Sequence, residues 1–226
     1  MFKAKRKVRS NGKTVIGQIS SAKRKEVQFE SSIEEGFIYI LDFDSDVKHY
    51  HDQPVQIAYK DVDGKDRIYT PDFLVEYRSR SPVLFEVKSQ EYIRRNPIET
   101  SKLVELGTNY AKENGWDFEL ITEKEVKTDY GDNVRDLFRY QTYTIELSVS
   151  NLIIHKLERL RQSTPHELIK EISEDIEQWP VYIAAIWALI FNKRIGCDLF
   201  KRLHMDVPIW VTNSSNAVEL KYPYKP

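Results

Sequence analysis

Two short segments that combine apolar and charged residues constrain the fold of this chain more than any other feature. Residues 69–75 read YTPDFLV and residues 83–88 read VLFEVK. Each segment is rich in the β-branched and aromatic residues that favour strands. The polar linker 78–82 ends in proline and is short enough for a tight connection. Together the two segments predict an antiparallel hairpin.

Charged side chains lie on this hairpin where a buried strand would normally be apolar. Alternation puts Asp72, Glu86 and Lys88 on one face, and a turn about residues 79 and 80 brings Asp72 nearly opposite Glu86. Two adjacent carboxylates repel each other unless a cation lies between them. This predicts a site for a hard divalent metal with a basic group beside it. The alternative is a solvent-facing strand edge with an ordinary Lys–Asp pair.

A third acid is expected from an upstream helix over residues 30–43. Its apolar residues recur at helical spacing, at Ile33, Phe37, Ile40 and Leu41. Glu34 falls at the margin of this stripe, where a buried carboxylate needs a partner such as a shared metal. A capping box, Ser31 with Glu34 or Ser32 with Glu35, is the alternative. Both interpretations hold together if Ser32 and Glu35 form the cap.

The order Pro-Asp, then Glu-x-Lys one hairpin later, resembles the PD-(D/E)xK nuclease superfamily. With Glu34 included, the N-terminal part resembles the TnsA-type transposon endonucleases. The resemblance covers most of residues 30–140 in the order of that family. The matching strings are SIE (32–34), DFDSDV (42–47), QPV (53–55), TPDFLV (70–75), EVK (86–88) and LITE (120–123).

The resemblance implies a set of site residues. The catalytic residues would be Glu34, Asp72, Glu86 and Lys88. One or two Mg²⁺ ions, which Mn²⁺ could replace, would bind the three acids and the carbonyl of Val87. Some relatives have Gln at the position of Glu86, a change that keeps the ligand oxygen and alters only the charge. No glycine-rich phosphate loop is present, so any ATP would belong to a partner.

The resemblance also implies an activity and partners. Such enzymes are metal-dependent DNA endonucleases that nick the 5′ ends of a mobile element during cut-and-paste transposition, while a DDE-type transposase cuts the 3′ ends. An AAA+ ATPase regulator would bind through the C-terminal domain. A stand-alone restriction or repair nuclease, or an inactive regulatory module that binds DNA or the ATPase, remains an alternative.

Charge is distributed unevenly along the chain. The formal net charge is −1, which argues against a uniformly basic DNA-binding protein. No acid precedes Glu26, however, so residues 1–29 form a basic arm suited to phosphate contacts. A solvated tail is the alternative. The residues expected to contact DNA are Lys5, Arg6, Lys7, Arg9, Lys23, Arg24, Lys25, and, just beyond the hairpin, Arg94 and Arg95.

Composition favours a soluble intracellular protein, and the resemblance implies a prokaryotic cytoplasm with association to the nucleoid during action. The sole cysteine, Cys197, fits a reducing compartment. No secretion leader is recognisable, and the longest apolar run, 181–191, is too short to span a membrane and predicts a buried helix.

The pattern of elements predicts an α/β nuclease domain over residues 30–143, with a restriction-endonuclease-like mixed sheet flanked by helices. Strand 83–88, helix 99–113 and strand 116–121 form a parallel crossover, with 90–97 as a polar turn. A further hairpin turning at Asp63-Gly64 is expected to lie beside the site strands.

Residues 144–220 are expected to form a second, mostly helical domain, and 221–226 a tail. Three helices followed by a small hairpin predict a winged-helix-like module. Its third helix lacks a basic face, which favours binding to a partner protein over base reading.

Overall fold

The computed structural model describes residues 17–19 and 27–212, which divide between Lys127 and Thr128 into two compact units. The first unit consists, in chain order, of β1 (Gly17–Ile19), β2 (Val27–Phe29), α1 (Ser32–Phe43), β3 (Val47–Asp52), β4 (Ile57–Lys60), β5 (Asp66–Tyr69), β6 (Phe73–Tyr77), β7 (Val83–Val87), α2 (Gln90–Arg95), α3 (Pro97–Glu113), β8 (Asp117–Ile121) and α4 (Glu123–Val126).

The centre of this unit is a four-stranded mixed sheet in the order β3-β6-β7-β8. Strand β6 runs antiparallel to β3 and β7, whereas β8 runs parallel to β7. Phe73 pairs with Phe85 and Val75 with Val83, so the β6–β7 hairpin turns about residue 79 as predicted. A mixed sheet with flanking helices is the expected restriction-endonuclease-like architecture, and the fold class is confirmed.

Helices cover both faces of the hairpin. The Phe37 ring of α1 packs edge-on against Phe73 and Phe85, with centroids 5.7 and 5.0 Å apart. Leu74 faces the other way and is buried with Ala111 of α3. Because apolar side chains fill both sides, every residue of β7 is buried, including its single acid.

Three details of this unit differ from the sequence-based expectations. The β4–β5 hairpin forms its own two-stranded sheet, and β3 is the strand that pairs with β6. The expected polar turn at 90–97 contains the short helix α2, because the Ser89 side chain caps its first turn by accepting from the Tyr92 N–H. Strand β2 lies inside the segment assigned to the arm, with Val27 and Phe29 buried.

The second unit consists of α5 (Asp129–Leu137), α6 (Leu147–Leu160), α7 (Pro165–Ile172), α8 (Trp179–Phe191), β9 (Ile195–Cys197) and β10 (Ile209–Val211). The three helices α6–α8 and the antiparallel β9–β10 pair occur where the sequence predicts them. The winged-helix identity of this arrangement remains a prediction. Helix α5 belongs to this unit, so the compact boundary lies earlier than residue 144.

Helix α8 is apolar on every side, but burial is uneven around it. Ala185, Ile186 and Leu189 are buried, whereas Val181 near its start is half exposed. None of the helices in the described ranges is both long and apolar enough to cross a membrane.

The contact between α3 and β8 requires a residue without a side chain. A Cβ at Gly107 would collide with the ring of Phe118. We expect Gly107→Ala to lower the free energy of unfolding by about 1–2 kcal/mol, because overpacking outweighs the gain in helix propensity. Urea denaturation measures the change, and exposed Thr108→Ala, one residue along the same helix, is the control. Equal stability of the two variants would contradict this packing, and adding Phe118→Leu should restore much of the loss.

Burial makes the sole thiol unreactive. Cys197 in β9 is buried, and burial, followed by the Asp198 charge, raises the pKa of its thiol to about 12. The thiolate fraction at pH 8 should therefore be about 10³-fold smaller in the folded protein than in the unfolded chain. We expect iodoacetamide to label the folded protein more slowly than the urea-unfolded protein by a similar factor. Mass spectrometry measures the extent of labelling over time. Rates within tenfold of each other would contradict the burial of this strand.

Candidate active site

Three hydrogen bonds hold Asp72 at the entrance of β6. Its N–H donates to the Phe85 carbonyl (3.1 Å), and its carbonyl accepts from the Gln53 N–H (2.8 Å). Its carboxylate Oδ2 accepts from the Val87 N–H (2.7 Å). Because the first and third of these bonds join Asp72 to β7, it lies level with Glu86, as the predicted hairpin requires.

A single ammonium group connects the acids of the hairpin. Glu86, which is 3% exposed, forms an ion pair through Oε1 with Lys88 Nζ, and its Oε2 accepts from the Tyr69 hydroxyl (2.8 Å). Lys88 Nζ also lies 3.6 Å from Asp72 Oδ2 and donates to the Val87 carbonyl (3.2 Å). The structure thus brings Asp72, Glu86, Val87 and Lys88 together.

Glu34 lies in the first turn of α1, where it also caps the helix. The Ser31 hydroxyl accepts from the Glu34 N–H (3.1 Å) and donates to Glu34 Oε1 (2.8 Å). The Glu30 N–H donates to the other carboxylate oxygen (2.9 Å). Of the two capping pairs that the sequence allows, the structure has Ser31 with Glu34, because α1 begins at Ser32 itself.

Electrostatics link Glu34 to the hairpin acids. Burial, and next the Asp72 charge, raises the pKa of Glu34 to about 7, while the Lys88 charge acts in the opposite direction. The charges of Asp72 and Lys88 therefore both affect the ionisation of Glu34, although Glu34 lies on α1 and not on the hairpin. The capping bonds occupy its two carboxylate oxygens with donors from residues 30 and 31.

The site carries more acid than its lysine neutralises. Burial, and next Asp72, raises the pKa of Glu86 to about 7, and burial likewise raises the pKa of Asp72. Burial alone would lower the pKa of Lys88, but Asp72 and Glu86 raise it well above its ordinary value. Two acids, Asp72 and Glu86, are paired with one ammonium, which leaves an excess of negative charge that a further cation would offset.

The donor atoms suit a hard cation. Asp72, Glu86 and the Val87 carbonyl offer only oxygen, the ligand that Mg²⁺ prefers, and they already surround a positive group. No set of three Asp, Glu, His or Cys side chains within residues 17–19 and 27–212 is close enough to hold a metal ion. The Lys88 ammonium lies among the shared oxygens, so it would have to move aside for a metal to bind there.

Two residues that the sequence analysis did not identify as site residues also contact these acids. Tyr69 donates to Glu86, as described above. Gln53 bonds to Asp72 through its N–H, donates through Nε2 to Glu30 Oε1 (3.3 Å) and has a backbone φ of 44°, a conformation that non-glycine residues seldom adopt. The QPV string contains Gln53, but nothing local distinguishes Tyr69, because its contact depends on where the β4–β5 hairpin lies.

Of the residues expected to contact DNA, the structure describes only Arg94 and Arg95. Arg94 and Arg95 lie exposed on α2, and Arg95 forms an ion pair with Glu91 one turn earlier. The remaining predicted contacts lie outside the described residues. They are Lys5, Arg6, Lys7, Arg9, Lys23, Arg24 and Lys25.

Comparison with known families agrees with this site. Residues 44–123 match the family model described as TnsA-like endonuclease N terminal. This part of the chain is therefore similar to TnsA-like endonuclease N-terminal domains, and the resemblance read from the sequence is confirmed there. The matched segment includes Asp72, Glu86 and Lys88, whereas Glu34 and the second unit lie outside it. A search among curated proteins found no match to the chain.

Loss of the Lys88 charge should destabilise the protein. Lys88→Met leaves the Asp72 and Glu86 carboxylates without their cation, and removing one partner of a fully buried pair costs about 3–5 kcal/mol. Because the Lys88 side chain is 24% exposed, we expect a smaller loss, about 1–3 kcal/mol by urea denaturation without metal. Lys102→Met, which breaks an exposed pair with Glu105, should cost less than about 0.5 kcal/mol. Equal losses would show that Lys88 does not compensate the acids.

Proposed function

We propose that this protein is a Mg²⁺-dependent DNA endonuclease subunit of a heteromeric transposase that hydrolyses phosphodiesters at the 5′ ends of a mobile element. One observation carries the proposal. Inside the segment that matches the TnsA-like endonuclease model, the Lys88 ammonium lies between the Asp72 and Glu86 carboxylates. The buried oxygen ligands and adjacent ammonium favour phosphodiester hydrolysis over simple DNA binding.

Asp72, Glu86 and the Val87 carbonyl would hold one or two Mg²⁺ ions, with Glu34 as a further ligand, and Mn²⁺ could replace them. When bound, the metal supplies Lewis-acid polarisation of the scissile phosphate and makes water at the site more acidic. The Val87 N–H fixes the direction of the Asp72 carboxylate through its bond to Oδ2. A fixed carboxylate presents the same oxygen in every turnover, which reduces the reorganisation needed for catalysis.

Lys88 supplies positive charge where negative charge develops on the phosphate. Its backbone is fixed at the end of β7 by a hydrogen bond from its N–H to the Ile121 carbonyl (2.9 Å). Its side chain can leave the two carboxylates and donate to a non-bridging phosphate oxygen or to the attacking water. The fixed backbone limits where the released ammonium can lie, which reduces the cost of orienting it towards the phosphate.

The partners follow from the proposed activity. A DDE-type transposase would cut the 3′ ends, and an AAA+ ATPase regulator would bind the C-terminal domain at 144–220. The basic arm and the exposed Arg94 and Arg95 of α2 would contact phosphates of the transposon end. In this proposal the nuclease domain spans residues 30–143. The protein would act on the chromosome in a prokaryotic cytoplasm.

A nicking assay on DNA that carries the element ends tests the proposal. We expect Mg²⁺-dependent 5′-end nicks with the partner transposase present, and a loss of at least about 10³-fold in Asp72→Asn because a metal ligand loses its charge. Asn keeps an acceptor for the Val87 N–H, so this variant should fold better than Asp72→Ala. Exposed Asp63→Asn is the matched control and should cut normally.

Three results would contradict the proposal. Normal nicking by Asp72→Asn would exclude Asp72 from the chemistry. Absence of nicking under all Mg²⁺ and Mn²⁺ conditions, with the transposase present and the chain folded, would favour an inactive regulatory module. Cleavage of any DNA without the transposase would favour a stand-alone nuclease.

A further inference from the structure

Tyr69 is buried at the base of an otherwise exposed hairpin. It is the last residue of β5 and is 4% exposed, whereas Val62 at the turn and Ile68 beside it are exposed. The β4–β5 pair forms its own two-stranded sheet, without ladder bonds to the central sheet. Tyr69 therefore reaches the site from an element other than the strands that carry the acids.

The Tyr69 hydroxyl contacts one oxygen of Glu86. It donates to Oε2 at 2.8 Å, while the other oxygen, Oε1, faces Lys88. A hydrogen bond to one carboxylate oxygen restricts rotation of the whole group, and it thereby sets the direction in which the other oxygen faces a cation. Lys88 also contacts this carboxylate, but its ammonium would have to move aside for a metal, whereas the Tyr69 hydroxyl can keep its bond to Oε2.

We propose that Tyr69 is a positioning residue that orients Glu86 so that Oε1 faces the cation-binding side of the active site. This inference rests on the proposed function, because it assumes that Glu86 is a metal ligand. Hydrogen bonds to carboxylate ligands commonly affect metal affinity by about 10–100-fold. Tyr69 acts through Glu86 and touches neither metal nor DNA.

Tyr69→Phe removes the hydroxyl and keeps the ring. Calorimetric titration of the full chain with Mn²⁺, without DNA, should show about 10–100-fold weaker binding than in the unchanged protein. The nicking reaction should need correspondingly more Mg²⁺, with partial recovery at saturating metal. Tyr59→Phe, in β4 of the same hairpin, is the control and should bind Mn²⁺ normally.

A purely structural role for Tyr69 predicts a different result. Tyr69→Phe would then lower the melting temperature of the metal-free protein but leave Mn²⁺ affinity and Mg²⁺ dependence equal to those of Tyr59→Phe. That result would overturn the inference.

A double-mutant cycle keeps the test decisive if Tyr69→Phe is poorly stable. In a Glu86→Ala background the carboxylate that Tyr69 orients is absent, so adding Tyr69→Phe should change Mn²⁺ affinity by less than about threefold. An equal loss in both backgrounds would show that Tyr69 does not act through Glu86, which also overturns the inference.

Failure of this inference can be separated from failure of the proposed function. If Asp72→Asn does not nick while Tyr69→Phe matches Tyr59→Phe in Mn²⁺ affinity, only the role of Tyr69 is wrong. If Asp72→Asn nicks normally, the site itself is wrongly assigned, and the role of Tyr69 is rejected with it.

Discussion

The pairing register of β6 with β7 determines everything else in the site. Because Phe73 lies opposite Phe85, Asp72 lies level with Glu86, and a shift of one residue would move one acid to the opposite face. The same two phenylalanines receive the Phe37 ring from α1. Apolar packing thus fixes the register and also holds the helix whose first turn carries Glu34. Burial of these aromatic rings therefore favours the register in which Asp72 and Glu86 lie side by side.

The acids are held at some cost to stability. Burial raises the pKa values of Glu34, Asp72 and Glu86, which means that their charged forms are disfavoured where they lie. Lys88 offsets part of this cost by placing its ammonium among the oxygens of Asp72, Glu86 and Val87. Perturbed pKa values that cluster in this way are typical of functional sites. The lysine would therefore have two uses, as a counter-ion before metal binds and as a source of positive charge for the phosphate afterwards.

The sequence predicts the parts that depend on local periodicity. Alternation over 69–88 is enough to place Asp72 opposite Glu86, because side chains of a strand repeat every two residues. The sequence does not distinguish Ser31 from Ser32 as the N-cap, because each has a glutamate three residues later. The choice depends on the residue at which α1 begins. The contact of Tyr69 with Glu86 depends on how a separate hairpin packs, which no local pattern records. The compact boundary at 127 was likewise set by the tertiary contacts of α5.

The most direct test of the shared cation site is the anomalous X-ray signal of Mn²⁺ in crystals of the full chain. If the two acids share a cation, an ion will contact the Asp72 and Glu86 carboxylates, and the Lys88 ammonium will be displaced from between them. Crystals that show no Mn²⁺ there, at a concentration that supports nicking in solution, with Lys88 still between the two carboxylates, would show that these acids do not form a metal site.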